Sequence, residues 1–177
     1  MDRTELFRHL SGIVRLATGV PECALADDNN PAPSGSYASI EPYSSIVSRG
    51  QANQNTVGVD GGLNVSTTIE RQMLVTASIN FYRDNAKLYA AKLNEGNKNP
   101  NMYALLRAAG IGWSRTSAVN NLNALQSGKI EQRAQVSLMF WMEISDDPVV
   151  YNAINQVELE VQNSKGEVLQ TSNYTGD

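Results

Sequence analysis

A chain of 177 residues and 19.3 kDa is long enough for one domain with a substantial core. Such a domain buries roughly 70% of its unfolded surface, so neither disulfides nor metals are needed to hold it. Charged residues make up 18%, against about 25% in an average soluble domain, and the net charge of −4 argues against a dedicated nucleic-acid binder, whose footprint is basic.

No apolar run approaches the roughly 18 residues of a membrane-spanning helix. The single Cys23 leaves no internal disulfide and no cysteine-based zinc site, and no activating motif surrounds it, so a structural thiol is expected. The lone His9 removes His-pair metal sites and lies in a stretch of helical periodicity, where a packing or surface role is the plain reading. Met1–Glu5 lacks the basic start and apolar run of a secretory signal, so synthesis in the cytoplasm is expected.

Leu6, Phe7, Leu10, Ile13, Val14 and Ala17 recur at helical spacing, which predicts an amphipathic helix over 2–18, stopped by Gly19 and Pro21. Residues 26–36 are rich in Asp, Asn, Pro and Gly and predict a loop. Tyr37–Ser48 reads as extended, with Pro42 making it an edge strand or breaking it in two. Residues 50–62 are expected to be a second polar loop, ending in a hairpin turn at Asp60-Gly61-Gly62.

From Leu63 to Phe81 the apolar residues Met73, Val75, Ala77, Ile79 and Phe81 alternate with polar ones, the pattern of a half-buried strand. Asp84-Asn85 offers a cap for a helix over 86–94, and Asn99-Pro100 opens another that runs to Gly110. A short strand is expected over 111–117, then a loop or single turn at 120–125. Residues 130–144 form the most legible strand, with Ala134, Val136, Leu138, Phe140, Met142 and Ile144 on one side. Asp146-Asp147-Pro148 breaks it. Val157, Leu159 and Val161 mark a last long strand, Asn163–Gly166 a turn, Glu167–Leu169 a short strand, and 171–177 a frayed tail. The expected class is α+β in a single domain over 1–177: a mostly antiparallel β-sheet with an N-terminal helix and two consecutive central helices packed on one face.

Chemistry is sparse. Asp27-Asp28 and Asp146-Asp147 lie beside prolines, where aspartate serves the turn. Glu158 and Glu160 share a strand face at roughly 7 Å and are read as exposed acids. Gly110-Ile111-Gly112 follows a helix rather than a strand, and no phosphate-cradling GxxxxGK[ST] or GxSxG elbow occurs. Nothing supports an enzyme. Leu74, Met139 and Trp141 stand out instead, because they sit on the otherwise polar faces of their strands. A small domain must cover such residues, either with its own helices or with a second subunit.

The segment Leu105-Leu106-Arg107-Ala108-Ala109-Gly110-Ile111, then Val119 and Asn121–Leu125, then Glu131-Gln132-Arg133-Ala134-Gln135-Val136-Ser137-Leu138, Asp146-Asp147 and Val157-Glu158 resembles the neck terminator family of tailed bacteriophages. With the earlier elements the likeness covers most of the chain. The resemblance implies a structural virion protein of the tail and neck. It would form a homo-oligomeric ring, normally a hexamer, at the head-proximal end of the tail. That ring stops tail-tube polymerisation and joins the tail to the head connector. Its implied partners are the tail tube protein, the head–tail connector proteins and, in contractile phages, the tail sheath. No cofactor, catalytic residue or membrane is implied, and DNA passes through the lumen without specific binding. An acidic wall would let DNA slide, which makes Glu131, Glu143, Glu158 and Glu160 candidates for a lumen or axial face. Leu74, Met139 and Trp141 are candidates for the interface. The departures are the polar 50–62 segment and the 165–177 extension. Competing readings are another neck or tail ring, such as a head-closure or tail-tube protein, a monomeric α+β binding module, or an enzyme using His9 or the acidic pairs.

Overall fold

A computed structural model describes residues 1–177 except 30, 60–63, 127–128, 153–155 and 176–177. The elements in order are α1 (Arg3–Thr18), β1 (Glu22–Leu25), β2 (Tyr37–Ser48), β3 (Asn53–Val59), β4 (Asn64–Tyr82), α2 (Ala86–Glu95), a 3-10 turn (Gly96–Lys98) and α3 (Pro100–Ala108). There follow β5 (Gly112–Thr116), β6 (Asn120–Asn121), β7 (Ala124–Gln126), β8 (Lys129–Glu131), β9 (Arg133–Ser145), β10 (Val149–Asn152), β11 (Gln156–Gln162) and β12 (Val168–Thr175). The class is α+β with a mostly antiparallel sheet, as expected. The chain gathers into two compact units, Met1–Gln51 with Arg71–Ile144, and Ala52–Glu70 with Ser145–Asp177.

The first unit holds strands in the order β1-β2-β4-β9-β5, with β6 beside β9. Helix α1 starts where the Asp2 carboxylate accepts from the Glu5 N–H at 2.7 Å, satisfying one of the orphan donors of the first turn. It stops at Gly19, whose φ of 77° lets its N–H return to the Arg15 carbonyl. The predicted stripe is the buried one: Leu6, Leu10, Ile13 and Val14 are enclosed. They pack with Ala86, Ala90, Leu93, Met102 and Leu106 of the other helices over Val75, Ile79 and Phe81 of β4 and Val136, Leu138 and Phe140 of β9. Each large apolar side chain enclosed there contributes about 1.5–3 kcal/mol. Gly96 marks a close approach of the helices: a Cβ there would lie 3.0 Å from Met102 Sδ and 3.1 Å from Ala17 Cβ.

Several local details differ from expectation. Strand β1 pairs in parallel with β2, Glu22↔Tyr37 to Leu25↔Ile40, so residues 26–36 form the connection between two neighbouring parallel strands. Pro42 does not break β2. It falls in a bulge between Glu41↔Ser78 and Ser45↔Thr76, where its missing N–H costs no ladder bond. Asn85 caps α2 without a side-chain hydrogen bond, because its backbone is left-handed at φ 65°. The predicted loop at 120–125 contains β6 and the start of β7, held as two- and three-residue pairings too short for a periodic signal. The strand expected over 130–144 divides at Gln132, whose carbonyl accepts from Arg83 N–H at 2.7 Å.

In the second unit the first half of β4 is flanked by β3 (Asn53↔Glu70 to Val59↔Asn64) and β10 (Val149↔Thr67 to Asn152↔Asn64). The polar loop expected over 50–62 is therefore largely a strand. Its Asn/Gln-rich sequence shows no alternation because β3 buries neither face. The Asp60–Gly62 turn lies outside the described residues. Strands β11 and β12 form a hairpin, Val157↔Tyr174 through Val161↔Gln170. The Asn163 carboxamide closes its turn by accepting from the N–H groups of Lys165 and Glu167 at 2.9 and 3.0 Å. The expected frayed tail is strand as far as Thr175, with 176–177 outside the described residues.

Candidate functional site

Period-two alternation in β4 and β9 sends one set of side chains to the helices and the other to the opposite face of the sheet. At one end of that opposite face the Tyr37 and Tyr82 rings stack at 4.7 Å, with Arg83 over the first and Arg133 over the second. Hydrogen bonds from Gln135 Nε2 to Ser78 Oγ (2.9 Å) and from Arg133 Nη2 to Asn80 Oδ1 (3.2 Å) tie β9 to β4 in the middle. Farther along come Leu74, Met139 and Trp141, all half-buried. The helices lie on the other face and do not cover them.

Arginines attend this apolar set. The Arg49 guanidinium lies 5.2 Å from the Trp141 ring centroid, and Arg115 Nε donates to Met139 Sδ at 3.1 Å. Gly112 pairs with Trp141 in register, its α-carbon bare beside the indole stem, so that even an added Cβ would stand 3.6 Å from Trp141 Cβ. Arg49, Gln72, Gly112 and Glu143 rim an open hollow beside the ring.

The four predicted acids are not one cluster. Glu158 and Glu160 share a face of β11, exposed and opposite Asn173 and Thr171 of β12. Glu143 is exposed near the end of β9, whereas Glu131 is half-buried in β8 with its carboxylate 3.5 Å from Arg83 Nε. Charge is divided unevenly between the two units. The second carries eight acids and a single lysine, a net −7, and the first ten acids and thirteen bases, a net +3, which together give the −4 of the chain.

The residues weighed for catalysis are dispersed. Among the described residues no group of three His, Cys, Asp or Glu side chains could hold a metal ion. Burial pushes the Cys23 thiol up to about 11, the reverse of what a nucleophile needs. Its Sγ donates to the Ser11 carbonyl at a long 4.0 Å. His9 is half-buried along α1. Asp27 takes a left-handed turn conformation at φ 57°, and the Asp146 N–H, just past the end of β9, donates across to the Ile69 carbonyl of β4. No described helix is long and apolar enough to cross a membrane.

Apolar surface that sequence reading missed lies in the second unit. Val57, Ile69, Val149, Val150 and Tyr151 are 44–57% exposed. The Val149-Val150-Tyr151 run carries a β-branched and aromatic signal, but Pro148 and its length of three hid it as strand β10.

A family model described as phage neck terminator protein matches residues 3–167 of the 177. The chain belongs to that family. The match begins at the first residue of α1 and ends just past the turn between β11 and β12, so it spans both units. No curated protein matches the chain. As a neck terminator it is a structural protein of the phage tail and neck, resident in the virion.

Proposed function

We propose that this neck terminator closes into a ring, a hexamer, at the head-proximal end of the tail. The ring ends growth of the tail tube, and of the sheath where one exists, and joins the tail to the head connector. The whole chain acts as one functional domain in it, made in the host cytoplasm and carried in the virion. The observation that supports a multi-subunit role is the set Leu74, Met139 and Trp141 on the sheet face away from the helices. A monomer gains nothing by leaving a tryptophan and a methionine there, and a neighbouring subunit would complete their burial. A heterologous interface whose rotation closes gives a ring, and closure ends growth. Glu131, Glu143, Glu158 and Glu160 supply acids for a lumen or axial face, where carboxylates repel phosphates and leave DNA free to slide. No catalytic role is assigned to any residue.

Light scattering of the purified protein, with negative-stain imaging of the same sample, tests this reading. A closed ring of six subunits is the expected result. A monomer that also ignores purified tail tubes would favour a small binding module instead. A long polymer would indicate a tube protein.

A further inference from the structure

Resting on the ring reading, we infer that the β11–β12 hairpin of one copy docks on the Leu74–Met139–Trp141 sheet face of the next copy. Among the described residues of the second unit, none is buried, and every member of the core cluster belongs to the first. Val157, Leu159 and Val161 line one face of β11 and are 43%, 53% and 54% exposed. An isolated two-stranded hairpin is at best marginally stable in water, so these residues lack the cover that a stable hairpin requires.

Charge selects a second copy as the occupant. The hairpin carries Glu158, Glu160 and Glu167 against Lys165, a net −2, and the receiving face belongs to the unit with net +3, where Arg49 and Arg115 stand over Trp141 and Met139. Two hairpins would repel each other, as would two receiving faces. Hairpin against sheet face attracts, and the pairing is head-to-tail, the geometry that propagates around a ring. The apolar edge of β11 meets the apolar set on the sheet, while Glu158 and Glu160 point to its other side and stay available to a lumen.

The test uses two repulsive variants of the full chain, Leu159→Arg in the hairpin and Trp141→Glu in the sheet face, with Val161→Arg and Met139→Glu as their seconds. Circular dichroism and thermal melting select the variants that remain folded. Each variant alone is expected to run as a single chain by light scattering under conditions where the natural sequence assembles. Mixed one to one, a hairpin variant and a face variant retain one intact hairpin and one intact face between them. The mixture should therefore give a two-chain species and nothing larger. Loss of assembly only in the hairpin variants, with no two-chain species on mixing, would overturn the proposal in favour of hairpin-to-hairpin contact. Full assembly by all four would overturn the docking surface and leave the ring standing. A natural sequence that stays a single chain at low salt would overturn docking between copies, and its binding to isolated tails would still preserve the neck role.

Discussion

The two units are built by opposite rules. The first encloses Phe81, Phe140 and four large side chains of α1 completely and carries a small positive charge. The second has strands as regular as any in the first, with complete ladders from Asn53↔Glu70 to Val59↔Asn64, yet none of its described residues is enclosed and its net charge is −7. Backbone hydrogen bonds alone contribute little net stability, because water offers the same bonds to the unfolded chain. The first unit is therefore held by its own core, while the second has no enclosed side chain among its described residues, which is why the docking proposed above gives it a cover from another copy.

That contrast can be broken most forcefully at the core. Phe140→Ala should destabilise the chain by about 3–5 kcal/mol, measured by denaturant unfolding, whereas Leu159→Ser in the hairpin should change the same transition by less than about 0.5 kcal/mol. Equal losses would mean that β11 is part of the cooperative core. A smaller effect is expected at Gly96→Ala, where the new methyl must push Met102 and Ala17 aside, at a cost of about 1–3 kcal/mol. Asp2→Ala removes the carboxylate that caps α1 and should cost about 1 kcal/mol.

The smallest effect on stability concerns Cys23. Its folded value of about 11 lies above the ordinary thiol value of 9.0 because burial disfavours the thiolate, so the folded state holds its proton longer, and the associated stability is present below pH 9 and lost as pH rises toward 11. Alkylation at pH 8 should be about a hundredfold slower in the folded protein than in denaturant, since two pH units separate the thiolate fractions. Equal rates would show that the thiol is open to solvent.

Legibility followed burial. Helix α1 and the strands β4 and β9 were readable because each buries one face, and Leu6, Leu10, Val75, Ile79, Leu138 and Phe140 print that face into the sequence. Strand β3 was unreadable for the converse reason: Asn53, Gln54, Asn55 and Thr56 are exposed on both sides, and only pairing with β4 orders them. Strand β1 was missed because four residues are too few to show a period. At the candidate site, Leu74, Met139 and Trp141 were visible as apolar residues out of phase, and the structure leaves them on the face without helices. The arginines over them were not visible, since Arg49 and Arg115 come from distant segments that only the sheet brings to Trp141 and Met139.

Strand β4 belongs to both units, its first seven residues to the second and the rest to the first, and it has hydrogen-bonded neighbours on both sides in each. Along one strand the ladder is thus constant while burial changes: no side chain from Asn64 to Leu74 is enclosed, and from Val75 onward every second one is. Amide hydrogen exchange converts that change into a clock: amides around Val75–Phe81 wait for global unfolding, while those of Asn64–Glu70 exchange through local opening. When a partner covers the second unit, slow exchange should spread down the strand toward Asn64, so that β4 records assembly residue by residue.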